Sequence, residues 1–360
     1  MKCRLTALVC LVLGVCLLAP VPGCRRLRIP ALGVDTSKKV KVFILAGQSN
    51  MEGKAKLSLL EYQVDQPETR NFFKHLKKDG QWVVRDDVWI NYLDRRGNLT
   101  VGFGSRNCIG PELEFGNTVG NHFKEQVLII KTAWGGKSIG RDFRPPSSGL
   151  PSQEKLNQIV QQTNERNKKR NRPQITLDDV KDTYGKFYRE MMKEINTTLK
   201  ELKTRFPEYK GQGYEIVGFV WFQGWNDMFD KDFLANYGKH MANFIRDVRK
   251  DLKAPNLPFV IGQMGQGGPD DTSANKLTIK DAQASMEKIP QFKGNVKVVK
   301  TDVFWDKKAA AIIKNWQDHI DEWNKVGSDR GYHYLGSAIT FSKIGTAFGQ
   351  ATLELIKASK

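Results

Sequence analysis

The residue types needed for nucleophilic acyl chemistry sit where this chain leaves apolar segments. Ser49 lies in "KVFILAGQSNMEGK", where the mostly apolar run Val42–Gly47 gives way to Gln48, Ser49 and Asn50. Near the other end, "SDRGYHYLGSA" puts Asp329 four positions before His333. A serine hydroxyl is inert at neutral pH until a base takes its proton, and the tetrahedral intermediate needs N–H donors for its oxyanion. A carboxylate can orient an imidazole so that its other nitrogen faces the serine. Donors are available in two further segments. Gly135 and Gly136 in "KTAWGGKSIGRDF" let backbone N–H groups approach a ligand, and Gln223 in "VWFQGWND" offers a side-chain amide.

Two other chemistries for the first stretch fail on spacing. A phosphate-cradling loop reads G-x-x-x-x-G-K-[ST], with the hydroxyl on Mg²⁺. From Gly47 to Gly53 the loop is one residue too long, and Ala55 follows Lys54 where the hydroxyl belongs. The G-x-S-x-G elbow matches poorly, because Met51 stands at the second glycine. No Cys/His cluster has zinc spacing. Among the other histidines, His75 lies among lysines, and His122 and His240 fall in helical patterns. His319, flanked by Asp318 and Asp321, is the rival to His333 as base. Asp302 and Asp227 are the alternatives to Asp329 as the orienting acid.

These residues need a scaffold. Five segments, Val40–Ala46, Gln126–Lys131, Tyr214–Phe222, Leu257–Gly262 and Asn295–Thr301, are short, continuous and rich in β-branched or aromatic residues, as buried parallel strands are. Helical patterns separate them. Phe233, Leu234, Tyr237, Met241, Phe244, Ile245, Val248 and Leu252 form one stripe of a long helix, and Leu335 to Ile356 form another. Such alternation predicts a parallel sheet covered on both faces, with the site beyond the carboxyl ends of its strands. Two stretches interrupt it. Residues 55–111 contain "GQWVVRDDVWINYLD", which reads as a small separate strand pair, and 144–178 read as an exposed basic insertion. No aromatics interleave with the basic run, which argues against a nucleic-acid arm.

The 360 residues carry 57 Lys+Arg against 39 Asp+Glu, a formal charge of +18. A field of that sign favours acidic partners, although the basic residues are mostly spread singly. The opening "MKCRLTALVCLVLGVCLLAPVPGC" has two basic residues, an apolar run and a small-residue exit, the pattern of a secretory leader over 1–24. "VPGC" also resembles a lipoprotein signal with Cys24 as the lipidated residue. The expected product is secreted, periplasmic or held at the cell surface. Residues 25–39 read as a linker and 40–360 as a single domain. Four of the five cysteines fall within the first 24 residues, leaving Cys108 as a small buried residue and no disulfide framework.

"GQSNM", "GGKS", "QGWND" and "YHYLGSA" together resemble the blocks of the SGNH hydrolase superfamily, in the branch of carbohydrate esterases that includes sialate O-acetylesterase-like and acetyl xylan esterase-like proteins. The resemblance spans about residues 40–350. It implies a flavodoxin-like, three-layer α/β/α fold around a mostly parallel five-stranded sheet. It also implies no cofactor, and hydrolysis of acetyl esters on sugars. Carried over, Ser49 is the nucleophile, His333 the base and Asp329 its partner. Ser49 N–H, the Gly135–Gly136 pair and Gln223 form the oxyanion hole. Gln48, Asn50, Glu112, Lys137, Ser138, Arg141, Arg144, Asn226 and Asp227 are the supporting or substrate-binding residues, with Asn50 bracing the nucleophile turn. Lys137, Arg141 and Arg144 would meet an acidic glycan. The chain departs from the family pattern twice. Trp225 stands where an acid commonly follows Gln-Gly, and the Asp-to-His spacing is one residue longer, which Gly331 is expected to absorb. A lipase or thioesterase of the same superfamily, or a non-catalytic carbohydrate-binding relative, would share much of this pattern.

Overall fold

The computed structural model describes residues 28–29 and 33–359. The leader read over 1–24, with Cys24, lies outside the described residues. Eight strands form the main sheet. In chain order they are β1 (Arg28–Ile29), β2 (Val40–Gly47), β3 (Val84–Tyr92), β4 (Arg95–Leu99), β5 (Val127–Ala133), β6 (Tyr214–Phe222), β7 (Phe259–Gln263) and β8 (Val296–Lys300). Their spatial order is β1-β3-β5-β2-β6-β7-β8, with β4 on β3. Every pair along that path is parallel, and β4 alone runs antiparallel.

The five expected strands are all present, with β2 at the centre. The sheet is nevertheless wider than five strands. "VRDDVWINY" is no separate pair: it is β3, parallel to β5, with β4 folded back on it. Two residues of the expected linker also pair with β3 as β1. With β1 and β4 on its outer side, β3 is apolar and buried over its second half, and its half-buried, charged first half masked it in the sequence. The insertion at 144–178 is largely helix, Gln153–Lys169, packed through Leu156 against Val180 and Tyr184 as a small satellite core.

Helices cover both faces of the sheet because successive side chains of a strand point to opposite sides. Val40, Val42, Ile44 and Ala46 of β2 meet the helices Lys186–Lys200 and Lys231–Asp251. Phe43 and Leu45 meet Pro111–Gly120 and Ala338–Ala358 on the other side. At the carboxyl edge three strands end level, with Gly47 in register with Ala133 and with Phe222. The loops after them are those that carry Ser49, Gly135–Gly136 and Gln223. Gly47 tolerates no side chain, since a Cβ there would lie 2.2 Å from the Phe222 carbonyl oxygen.

One buried ion pair fixes the short helical turn after β2. Lys131 of β5 is fully buried and donates to the Glu112 carboxylate at 2.7 Å, to the Glu52 carbonyl at 2.7 Å and to the Phe103 carbonyl at 2.8 Å. Burial pushes the Lys131 ammonium down from its ordinary pKa, and the adjacent Glu112 charge and hydrogen bond oppose that. The other Glu112 oxygen accepts the Gly110 N–H at 2.9 Å. Removing one member leaves the other charge unpaired in the core. Lys131→Met is therefore expected to cost about 3–5 kcal/mol in chemical denaturation. The double variant Lys131→Met with Glu112→Gln should lose clearly less than the sum of the single losses. Strict additivity would mean the two groups are not coupled.

Candidate active site

Ser49 opens a four-residue helix, Ser49–Glu52, directly after β2. So short a helix cannot hold itself, and neighbouring loops fix it from three sides. Gln48 clamps it to the loop after β6: its N–H donates to the Phe222 carbonyl at 3.1 Å, its side-chain nitrogen to Asn226 Oδ1 at 3.1 Å, and its Oε1 accepts the Gly224 N–H at 3.2 Å. The Asn50 side chain donates to the Tyr332 carbonyl at 3.0 Å, tying the nucleophile turn to the histidine loop. Lys131 holds the last carbonyl, Glu52 O. Glu112 thus braces this turn through Lys131.

The histidine loop is strained and over-determined. Tyr334, Leu335 and Gly336 have φ of 50°, 60° and 58°. Two successive non-glycine residues in the left-handed region need outside support. Tyr334 and Leu335 are fully buried, and the Tyr334 hydroxyl accepts the Gly265 N–H at 2.8 Å and pairs with Thr301 Oγ1 at 2.6 Å. The Leu335 carbonyl accepts the N–H groups of Ser328 and Asp329. Gly331, expected to absorb the extra residue between Asp329 and His333, lies in the 3₁₀ turn with negative φ and uses no glycine-only conformation.

Asp329 is the acid beside the imidazole. Its Oδ1 lies 3.2 Å from His333 Nδ1, in contact though off hydrogen-bond alignment, and accepts the Arg330 N–H at 2.6 Å. Burial works upward on the Asp329 carboxyl, but His333, the Arg330 N–H and the Lys54 charge outweigh it and hold the group below its ordinary pKa. The alternatives are engaged elsewhere. Asp302 pairs with Lys280 at 2.6 Å. Asp227 accepts the N–H groups of Ile139 and Gly140 and the Gln223 amide. Complete burial pushes the Asp227 carboxyl up to about 6 against those donors. His319 is exposed, with Glu322 at 4.0 Å, and does not reach this cleft.

Ser49 and His333 line one cleft of about 320 Å³, together with Gln48, Lys54, Gly135, Gly136, Trp225, Asn226, Phe229 and Tyr332. Asp329 stands behind His333. The serine and imidazole expected from opposite ends of the chain therefore share one rim of the sheet. The oxyanion assignment changes in two places. Gln223 donates its amide to the Lys137 carbonyl at 3.0 Å and to Asp227 at 2.6 Å. With both hydrogens used, it holds the glycine loop and is no oxyanion donor. The Gly135 N–H is taken by Glu52 Oε1 at 2.6 Å. The Ser49 and Gly136 N–H groups have no partner among the described residues and remain the free donors.

The basic residues after the glycines also face elsewhere. Arg144 donates to the carbonyls of Gly140, Ser148 and Gly149 and touches His240. Lys137 lies over the Phe187 ring, 3.9 Å from Asp142. Ser138 is buried on Asp142, and Arg141 points to solvent. Lys54, unmarked in the sequence, is the cation of the cleft, paired with Glu52 at 2.6 Å. Burial raises the Glu52 carboxyl, but Lys54, the Gly135 N–H and Ser105 overcome that and keep it below its ordinary pKa. The available signal for both was position alone, three and five residues past the serine.

Residues 39–310 match the family described as carbohydrate esterase, sialic acid-specific acetylesterase. That span holds the nucleophile turn and the glycine loop, while Asp329 and His333 lie beyond it. A protein named "Probable carbohydrate esterase" from Arabidopsis thaliana is 34% identical over 64 residues, 18% of this chain and 25% of that protein. The match thus spans about a quarter of that relative's length. Among solved structures, an Arabidopsis thaliana protein is 18% identical with a TM-score of 0.49, covering 88% of this chain and 98% of its own. A carbohydrate acetylesterase of Xanthomonas citri is 13% identical with a TM-score of 0.44, covering 72% and 49%. NanS is 14% identical with a TM-score of 0.39, covering 73% and 77%. With most of its length matched to the family, the chain belongs to the carbohydrate esterases of the sialic acid-specific acetylesterase family, a family of ester hydrolases.

Proposed function

We propose that this protein is an exported serine O-acetylesterase that removes acetyl groups from glycans, acidic ones included. The observation that carries the reading is the shared cleft of Ser49 and His333, with Asp329 against the far nitrogen of the imidazole. Asp329 at Nδ1 leaves Nε2 to face the serine. His333 takes the Ser49 proton as the oxygen attacks the acetyl carbonyl. The Ser49 and Gly136 N–H groups receive the oxyanion, each worth ~10²–10³ in turnover. The protonated His333 returns its proton to the departing sugar oxygen, leaving an acetyl-serine. Water, deprotonated by His333, then adds to that ester, and acetate leaves as Ser49 recovers the proton.

Export rests on the leader over 1–24, and lipidation at Cys24 is the alternative fate of that segment. The glycan class rests on the family and on the net charge of +18. Lys137, Arg141 and Arg144 do not line the cleft, so Lys54, itself paired with Glu52, is the one cation an acidic sugar would meet there.

Ser49→Ala and His333→Ala are each expected to lower acetate release from acetylated glycans by at least ~10⁴. Ser49→Ala should also abolish labelling by a fluorophosphonate. A wild-type protein that takes no label would point to the non-catalytic relative. Faster turnover on long-chain nitrophenyl esters than on the acetate would point to the lipase. Asp329→Asn should reduce kcat by ~10²–10⁴, whereas Asp302→Asn should leave kcat within about twofold. The reverse order would reassign the orienting acid.

A further inference from the structure

A groove of about 810 Å³ opens on the outer side of the loop that carries Asp329. Tyr62, 38% exposed, and the half-buried Trp316 are its aromatic residues nearest solvent. Lys56, Asn324, Asp329 and Arg330 line it beside them, and the Arg330 guanidinium lies 5.8 Å from the centre of the Trp316 ring. Groove and cleft are neighbours along two separate segments. Lys54 lines the cleft and Lys56 the groove; Tyr332 and His333 line the cleft, Asp329 and Arg330 the groove. Two residues of extended chain span at most about 7 Å. Lining residues of the two therefore lie within about 7 Å of each other along both segments.

The lining selects the class of ligand. A pyranose ring presents an apolar C–H face and a rim of hydroxyls. Exposed aromatic rings suit the face, and the adjacent amide, ammonium and guanidinium groups suit the rim. An acyl chain would need a dry apolar channel, and this groove is edged by charges on both sides. We infer that the groove binds the part of a glycan chain that continues beyond the acetylated unit held at Ser49. The inference rests on the esterase reading above and extends it from single acetylated sugars to oligomers or polymers. Most of the groove comes from residues 313–330, beyond the span matched to the family.

The test uses the full chain with two pairs of probes: O-acetylated xylose and xylohexaose, and O-acetylated sialic acid and its α2,8-linked hexamer. Binding is measured by calorimetry on inert Ser49→Ala protein, and turnover on active protein with 4-nitrophenyl acetate as the short control. One hexamer is expected to bind more tightly than its monomer. Trp316→Ala and Tyr62→Ala should each weaken that hexamer about 5- to 10-fold. Both should leave kcat/KM for 4-nitrophenyl acetate unchanged, which also shows that the variants fold. Trp316→Phe should restore most of the lost affinity. Equal binding of monomer and hexamer in both pairs, or equal losses on hexamer and nitrophenyl acetate, would overturn the groove assignment. Esterase activity that survives Ser49→Ala would instead overturn the catalytic reading, and the binding data would still decide the groove.

Discussion

Lys131 has no exposed surface, and the position of the nucleophile depends on it. An ammonium carries three donors and no acceptor, and here all three are used. One neutralises the charge against Glu112, and the other two satisfy main-chain carbonyls, those of Glu52 and Phe103. A hydrophobic residue of equal size would relieve the desolvation of the charge but strand both carbonyls away from water, where each costs about 1–3 kcal/mol. Glu112 passes the constraint on to Gly110, whose N–H it accepts. A single ion pair therefore ties strand β5, the end of the serine helix and the turn before Pro111–Gly120 into one unit. The arrangement costs burial energy and returns a fixed geometry, which catalysis needs more than stability.

The same logic runs through the histidine loop, where strain takes the place of a buried charge. Tyr334 and Leu335 hold unfavourable backbone angles because their side chains are locked in the core and their polar groups are spoken for. That leaves His333 at the solvent end of a stiff turn, with Asp329 held by the Leu335 carbonyl and its own contact with the Arg330 N–H. Asn50 joins the two halves through the Tyr332 carbonyl. The serine and imidazole come from segments 284 positions apart in the sequence. Their proximity is therefore a tertiary product, set by two rigid loops and one amide bridge.

The sequence carried what depends on local pattern. Continuous apolar runs marked the five contiguous strands β5, β2, β6, β7 and β8, and a stripe at three- and four-residue spacing marked the helix Lys231–Asp251. Strand ends marked Ser49 and the glycine pair, and the spacing from Asp329 before the last helix marked His333. What stayed hidden was direction. Gln223 sits at the expected strand end, yet its amide turns inward onto Asp227 and Lys137. Arg144 follows the glycines, yet folds back onto carbonyls of its own loop. Which way a polar side chain turns depends on partners far away in sequence, such as Asp227 for Gln223, and no periodicity reports them. Lys131 read as the last residue of a strand for the same reason. Strand β3 was obscured by the charges of its half-buried first half.

Substrate recognition in the cleft then rests less on charge than the composition suggests. Lys54 is already balanced by Glu52, Arg144 holds its own loop, Lys137 lies over the Phe187 ring and Arg141 points to solvent. The remaining walls are aromatic. Trp225 packs 6.0 Å from Phe229 and 5.9 Å from Tyr332, and Phe229 is 72% exposed at the cleft. Trp225 is also the residue at which this chain leaves the family pattern of an acid after Gln-Gly. Gln48, bonded to Asn226 and to the Gly224 N–H, holds the loop on either side of Trp225. The position is free to present a flat ring. An acid at this point would repel anionic sugars, whereas an indole accepts the C–H face of a neutral or an acidic one. On the proposed reading, the excess of positive charge would act on acidic chains at long range, while contact at the bond to be cut would fall to these rings.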